Sequence, residues 1–272
     1  MTVRRDKVWR VLVATWNVNS LKARLPRVED WLVNTQPDVV CVQETKLTDK
    51  AFPALAFSAL GYEAVHHGQG QWNGVAILSK VGIEEPMFGF AEGLEADTDA
   101  RLVSANCGGV RVHSIYVPNG RAVGHDHYHY KLSWLDRLRR HLDATCDPAG
   151  AVIVAGDWNI IPTDLDVWDP KEFEGATHVT PEERRALATV AEWGLVDTFR
   201  QRYDGIGGLY SYYDYTKGRF HKREGMRIDY LLASASLAER SELDLVDRNA
   251  RKGTKPSDHA PVLAAYRPAD RC

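Results

Sequence analysis

The chain is punctuated by short runs rich in Val and Ile, and nearly every run has a carboxylate, amide or imidazole at one end. The runs are VWRVLVATWNV (8–18), DVVCVQE (38–44), GVAILSK (74–80), AVIVAGDWN (151–159), MRIDYLLAS (226–234) and APVLAAYR (260–267). Such short apolar stretches, bounded by turn formers, read as strands buried on at least one face. LVSANC and VRVHSIYVP flank Gly108-Gly109, and two residues free to take positive φ predict a hairpin. Stretches of helical period lie between the strands. LPRVEDWLVNTQ opens with Pro26 near its first turn and sets Leu25, Val28 and Leu32 on one face. YHYKLSWLDRLRRHLDA repeats Leu132, Leu135, Leu138 and Leu142. TPEERRALATVAEWG has Thr180 as N-cap, Pro181 at the first position, Glu183 closing a capping box and Gly194 as the stop. Helices alternating with strands, together with hairpins, predict one mixed-sheet α/β domain across residues 1–272.

Composition narrows the partners. The chain is 44% hydrophobic and 26% charged, which is globular, and no apolar run reaches membrane length. Net charge is −3, which argues against a surface that is basic throughout. The positive charge is local: KGRFHKREGMR (217–227) holds five Lys or Arg against one Glu, and RNARKGTK (248–255) holds four against none. Such runs are either solvated loops or basic loops beside an acidic cluster. Cys41, Cys107, Cys146 and Cys272 show no metal-ligand spacing. The basic start of the chain leads into an apolar run too short for a signal peptide, so the cysteines are expected as thiols in a reducing cytoplasm.

The polar residues at the strand ends carry the chemistry. They are Asn17, Glu44, Tyr116, Asn119, Asp157, Asn159, Asp229, Asp258 and His259. Each alone has an ordinary structural reading, since an Asn after a strand caps a turn and a Glu can cap the next segment. Together they form a set suited to a hard cation and a phosphate, placed where α/β folds put ligand sites. Asp229, within an apolar strand, needs a partner because an unpaired buried carboxylate costs several kcal/mol. His259 is the natural one, with the carboxylate fixing its tautomer and orientation. Oxygen donors with little His and no Cys point to Mg²⁺, with Mn²⁺ as a substitute, and Glu44 and Asp258 fit its few protein ligands.

WNVNSLKAR, QETK, YVPNGR, GDWNIIPTDLD, MRIDYLLAS and SDHAP occur in this order over about residues 10–267. In this the chain resembles the exodeoxyribonuclease III family of bacterial repair enzymes and related apurinic/apyrimidinic endonucleases, within the endonuclease/exonuclease/phosphatase superfamily. GDWNIIPTDLDVWDP and YSYYDYTKGRF are the stretches most particular to the DNA-repair branch. The resemblance implies a two-sheet α/β sandwich with flanking helices, deoxyribonuclease I-like. It implies a metal held by Glu44, helped by Asn17 and Asp258, with Asp157, Asn159 and His259 as further residues of the metal site. Tyr116 and Asn119 would bind phosphate oxygens, and His259, oriented by Asp229, would stabilise developing charge. Asp157 is the favoured base, His259 the other candidate, with one or two ions. An abasic pocket would be lined by Tyr212, Met226 and Ile228, with Tyr212 standing where the family usually has Trp or Phe. Arg121, Arg251, Lys252 and Lys255 would meet DNA.

The expectation is therefore a Mg²⁺-dependent nuclease of base excision repair, cutting abasic sites and trimming blocked or recessed 3′ ends of duplex DNA. It is expected to be monomeric, cytoplasmic and free of the membrane. The alternatives are another superfamily hydrolase, such as a sugar-phosphate phosphatase, or a nucleic-acid binder that has lost its chemistry.

Overall fold

The computed structural model describes residues 10–267. In chain order its strands are β1 (Val11–Asn17), β2 (Val39–Gln43), β3 (Glu63–His67), β4 (Val75–Ser79), β5 (Glu84–Phe88) and β6 (Leu102–Cys107). They continue as β7 (Val110–Tyr116), β8 (Val152–Asp157), β9 (Leu195–Asp197), β10 (Asp229–Ser234), β11 (Ser241–Val246) and β12 (Val262–Tyr266). The described strands form two sheets, ordered β11-β12-β1-β2-β4-β3 and β5-β6-β7-β8-β10-β9. Only β1–β2 and β7–β8 pair in parallel; the other pairs are antiparallel.

The inner faces of the two sheets share one apolar core. Val13, Val39, Cys41 and Ile77 of one sheet pack with Val103, Val112, Ile153 and Leu231 of the other. Helix α1 (Leu21–Thr35) covers the first sheet through Val28, Trp31 and Leu32. A one-turn-and-a-half helix α2 (Ala54–Ala59) adds Phe57 to that layer. Helices α3 (Asp126–Thr145) and α4 (Pro181–Ala191) cover the second sheet through Trp134, Leu135, Leu138, Leu187 and Val190. This is the two-sheet sandwich with flanking helices that the sequence implied.

The four strands that the apolar runs did not reveal are β3, β5, β9 and β11, and these are the four sheet edges. An edge strand is covered on fewer sides, so its sequence needs less apolar character: EEPMF of β5 is largely exposed. Pro26 also differs from expectation, since α1 starts at Leu21 and Pro26 lies inside it. The earlier start is set by tertiary contact, because the Ser20 and Leu21 amides donate to the carbonyls of Glu44 and Thr45. The α4 capping box is as read, with Thr180 and Glu183 bonding each other's backbone amides.

Candidate active site

Topology brings the polar strand ends to one end of the sandwich. The parallel pairs end together, which aligns Asn17 and Glu44 on one sheet and Tyr116 with Asp157 on the other. Strand β10 runs antiparallel to β8, so its first residue, Asp229, lies opposite the last residue of β8, Asp157. Strand β12 runs antiparallel to β1, so Asp258 and His259, just before it, arrive at the same end. Asp229 and His259 thus open their strands rather than close them. The site joins the C-terminal ends of parallel strands to the N-terminal ends of antiparallel ones.

Asn17 ties the two sheets together. Its Nδ2 donates to Glu44 Oε1 at 2.8 Å and to Asp157 Oδ2 at 2.9 Å. Glu44 sits at φ 52°, a left-handed conformation that turns it out of its strand, and Lys46 Nζ lies 2.9 Å from its Oε2. Burial pushes the Glu44 carboxyl up, but Asn17, Lys46 and His259 outweigh it and hold the acid low. Asp157 is buried, and burial together with the charge of Asp229 lifts it to about 7, against the pull of His259 and Asn17. Tyr116 faces both carboxylates; burial and their charges push its hydroxyl well up, so it remains a donor.

The Asp229–His259 pair is present. His259 Nδ1 donates to Asp229 Oδ2 at 2.8 Å, and Ser211 Oγ donates to the same oxygen at 2.7 Å. Burial pulls the imidazole down, but Asp229, with Asp157 and Asp258 behind it, lifts it to about 10. It is therefore a cation at neutral pH, with Nε2 3.8 Å from Asp157 Oδ2. Asn159, at φ 51°, donates its amide N–H to Asp157 Oδ1. Its side chain donates to the Val117 carbonyl and accepts from Asn119 Nδ2 at 3.2 Å. Arg121 is exposed on the Asn119 loop.

Ligand atoms of Glu44, Asp157 and His259 lie within 4.8 Å of one another. The carboxylates fit a hard divalent cation, and the other residues of the expected set lie around them in different bonding states. His259 brings its Nε2 into the same cluster, its Nδ1 being taken by Asp229. The side chain of Asn159 has both its polar atoms engaged. Asn17 turns its donor to the carboxylates, while its Oδ1 accepts the Asn19 amide. Asp258 stands outside the cluster and accepts from Asn19 Nδ2 at 3.1 Å. Glu44 and Asp157 are the two carboxylates of the cluster.

A cavity of about 180 Å³ is lined by Trp168, Phe173, Tyr212, Arg219 and Met226 among others, and Tyr212 links it to the site. Tyr212 stands 4.9 Å, ring to ring, from His259. Ile228 does not line it; it is 3% exposed and lies beneath, with Ile161 and Val167. Arg251 is also corrected. It is 5% exposed and donates to the carbonyls of Ser257 and Tyr213, so it braces its loop from within. Lys252 and Lys255 are exposed. The sequence reading missed Trp168 and Phe173, whose only signal was an aromatic in the polar stretch after GDWN. It also missed Ser211 and Lys46, although Lys46 lies two residues after Glu44.

Comparison with known proteins agrees with this geometry. The Endonuclease/Exonuclease/phosphatase family matches residues 14–259. Exodeoxyribonuclease III of Haemophilus influenzae is 33% identical over 93% of this chain and 98% of its own. A solved AP endonuclease from Archaeoglobus fulgidus superposes with a TM-score of 0.90 at 36% identity, covering 94% of this chain and 99% of that one. A 3′ phosphatase from Neisseria, solved with product DNA hairpin, superposes equally well at 35% identity, with the same coverage.

Proposed function

The chain belongs to the endonuclease/exonuclease/phosphatase family and is a nuclease of its exodeoxyribonuclease III branch, and from this we propose that it is a Mg²⁺-dependent repair phosphodiesterase. Its substrates in this reading are recessed or blocked 3′ ends and abasic sites in duplex DNA, as in base excision repair. It works as a cytoplasmic monomer built as a single catalytic domain. The observation that carries the proposal is the bridged Glu44–Asn17–Asp157 pair beside the imidazolium of His259.

The phosphate lies between Tyr116, Asn119, Asn159 and His259. Asp157, poised at about 7, accepts a proton from the attacking water at its carboxylate. Phosphorus gains that oxygen, and its bond to the leaving ester oxygen breaks. His259 Nε2 and the Tyr116 hydroxyl donate to the phosphate oxygens, where charge builds in the transition state. A divalent ion held by Glu44 and Asp157 would supply charge neutralisation at the phosphate and leaving oxygen. Tyr212 and Met226, with Trp168 and Phe173, present an apolar wall that suits a sugar without a base.

The test is a time course on two duplexes, one with a central abasic analogue and one with a recessed 3′ end, with Mg²⁺, Mn²⁺ or chelator. Metal-dependent cleavage of both is expected. Release of phosphate from sugar phosphates with no cleavage of DNA would favour the phosphatase alternative. Cleavage at 3′ ends alone would remove the abasic part of the proposal.

A further inference from the structure

The chain buries an ammonium directly behind the site. Lys131, on α3, has no exposed surface, and its Nζ faces three acceptors. The carbonyl of Asn159 is at 2.5 Å, Glu183 Oε1 at 2.5 Å and the carbonyl of Asn119 at 3.4 Å. An ammonium has three donors, so all are directed inward. Glu183 is equally buried. It is the capping-box acid of α4, and its Oε1 also accepts from Thr177 Oγ1 at 2.7 Å. Burial pulls the lysine down and raises the acid, while each charge favours the other; the acid is held low, so the pair is ionic.

The loops it joins carry the two asparagines of the site. Asn159 sits at φ 51°, a conformation that costs a non-glycine residue energy, and its carbonyl also takes a bond from His178 Nδ1. Gly120, next to Asn119, has φ 89°; a Cβ there would stand 2.6 Å from Thr177 Oγ1 and 3.3 Å from the Lys131 stem. The Asn119 loop is therefore pressed onto the lysine. The 3.2 Å bond between the Asn119 and Asn159 side chains depends on both loops keeping this spacing.

We propose that Lys131 is a positioning residue, which uses Glu183 as its counter-charge and holds Asn119 and Asn159 in register at the phosphate. The proposal rests on the function read above, and it deepens that reading: α3 and α4 set the geometry of the cleft without touching substrate.

Lys131→Met alone would strand a buried carboxylate and destabilise the chain strongly. The informative variants are Glu183→Gln, which keeps the ammonium, and Lys131→Met/Glu183→Gln, which removes both charges at similar volume. Melting temperature, kcat and KM are measured for each, on recessed-end duplex and on bis(4-nitrophenyl) phosphate. The expected result is a double variant that melts at or above Glu183→Gln yet has kcat about 10- to 100-fold lower, with KM little changed. Asn159→Ala is then added to wild type and to the double variant. It should cost much less in the double variant, because the register it depends on is already lost. Equal kcat in the two Glu183 variants, or an equal cost of Asn159→Ala in both backgrounds, overturns the proposal. Failure of wild type on DNA while it still hydrolyses the small diester would instead overturn the DNA reading.

Discussion

At the scale of single residues, the site runs on charge placement. His259 is charged because Asp229 sits 2.8 Å from it inside the protein. Its raised value, about 10, means this pairing stabilises the fold fully below the ordinary imidazole range and is lost as pH rises through about 10. Asp229→Asn keeps the shape and removes the charge, leaving burial opposed only by more distant acids. The imidazole should fall by about 1–3 pH units, the usual effect of one close opposite charge. The alkaline limb of kcat/KM, followed from pH 6 to 9.5, should move down accordingly. Profiles that stay parallel would mean His259 acts uncharged. Glu44→Gln tests the carboxylate pair: cleavage should be lost at any practical Mg²⁺ level while duplex affinity in chelator is retained. Near-normal turnover at limiting Mg²⁺ would remove Glu44 from the metal site.

At the scale of elements, the 248–255 loop divides into two roles. Arg251 points inward, with Phe220 and Tyr213 against its guanidinium, and satisfies two backbone carbonyls. Lys252 and Lys255 point outward. Lys252→Gln/Lys255→Gln should flatten the salt dependence of duplex binding, by up to about 0.9 in log–log slope for each phosphate no longer neutralised, with stability unchanged. Arg251→Gln should instead lower stability by about 1–3 kcal/mol, from carbonyls left unpaired in the interior. Urea melts and salt titrations on the same proteins separate these effects. A salt slope that ignores the lysines returns the loop to plain solvated surface.

At the scale of the whole molecule, the fold carries an acid sensitivity away from the site. His113 of β7 and His141 of α3 are buried with their rings 5.3 Å apart. Burial is the main cause that holds both low, His141 at about 4, with Arg111 adding to it and His141 also acting on His113. A depressed imidazole leaves stability intact above the unfolded value near 6.5 and removes it as pH falls towards 4. The loss is about 1.4 kcal/mol per pH unit for each group. Urea melts at pH 7.5, 6 and 5 should show it, with a shallower slope in His141→Gln. A flat response would mean the rings are hydrated and titrate normally. No helix among the described residues is long and apolar enough to cross a membrane. Much of that architecture was readable along the chain. Central strands are buried on both faces and must be apolar, and the α4 capping box is closed by residues three apart, so both leave local signatures. The acids, amides and imidazole at the strand ends were legible for the same reason, as polar groups where an apolar run stops. Which partners each of them meets was settled only by folding. Asn17 bridges Glu44 to an Asp157 that lies 140 positions away, and Lys131 finds Glu183 52 positions on. Arg251 and Lys252 are neighbours in sequence, yet only one is desolvated. Residue type is local, but burial and partner are properties of the packed chain, and these decide whether a side chain holds an ion, donates to a phosphate or braces a loop.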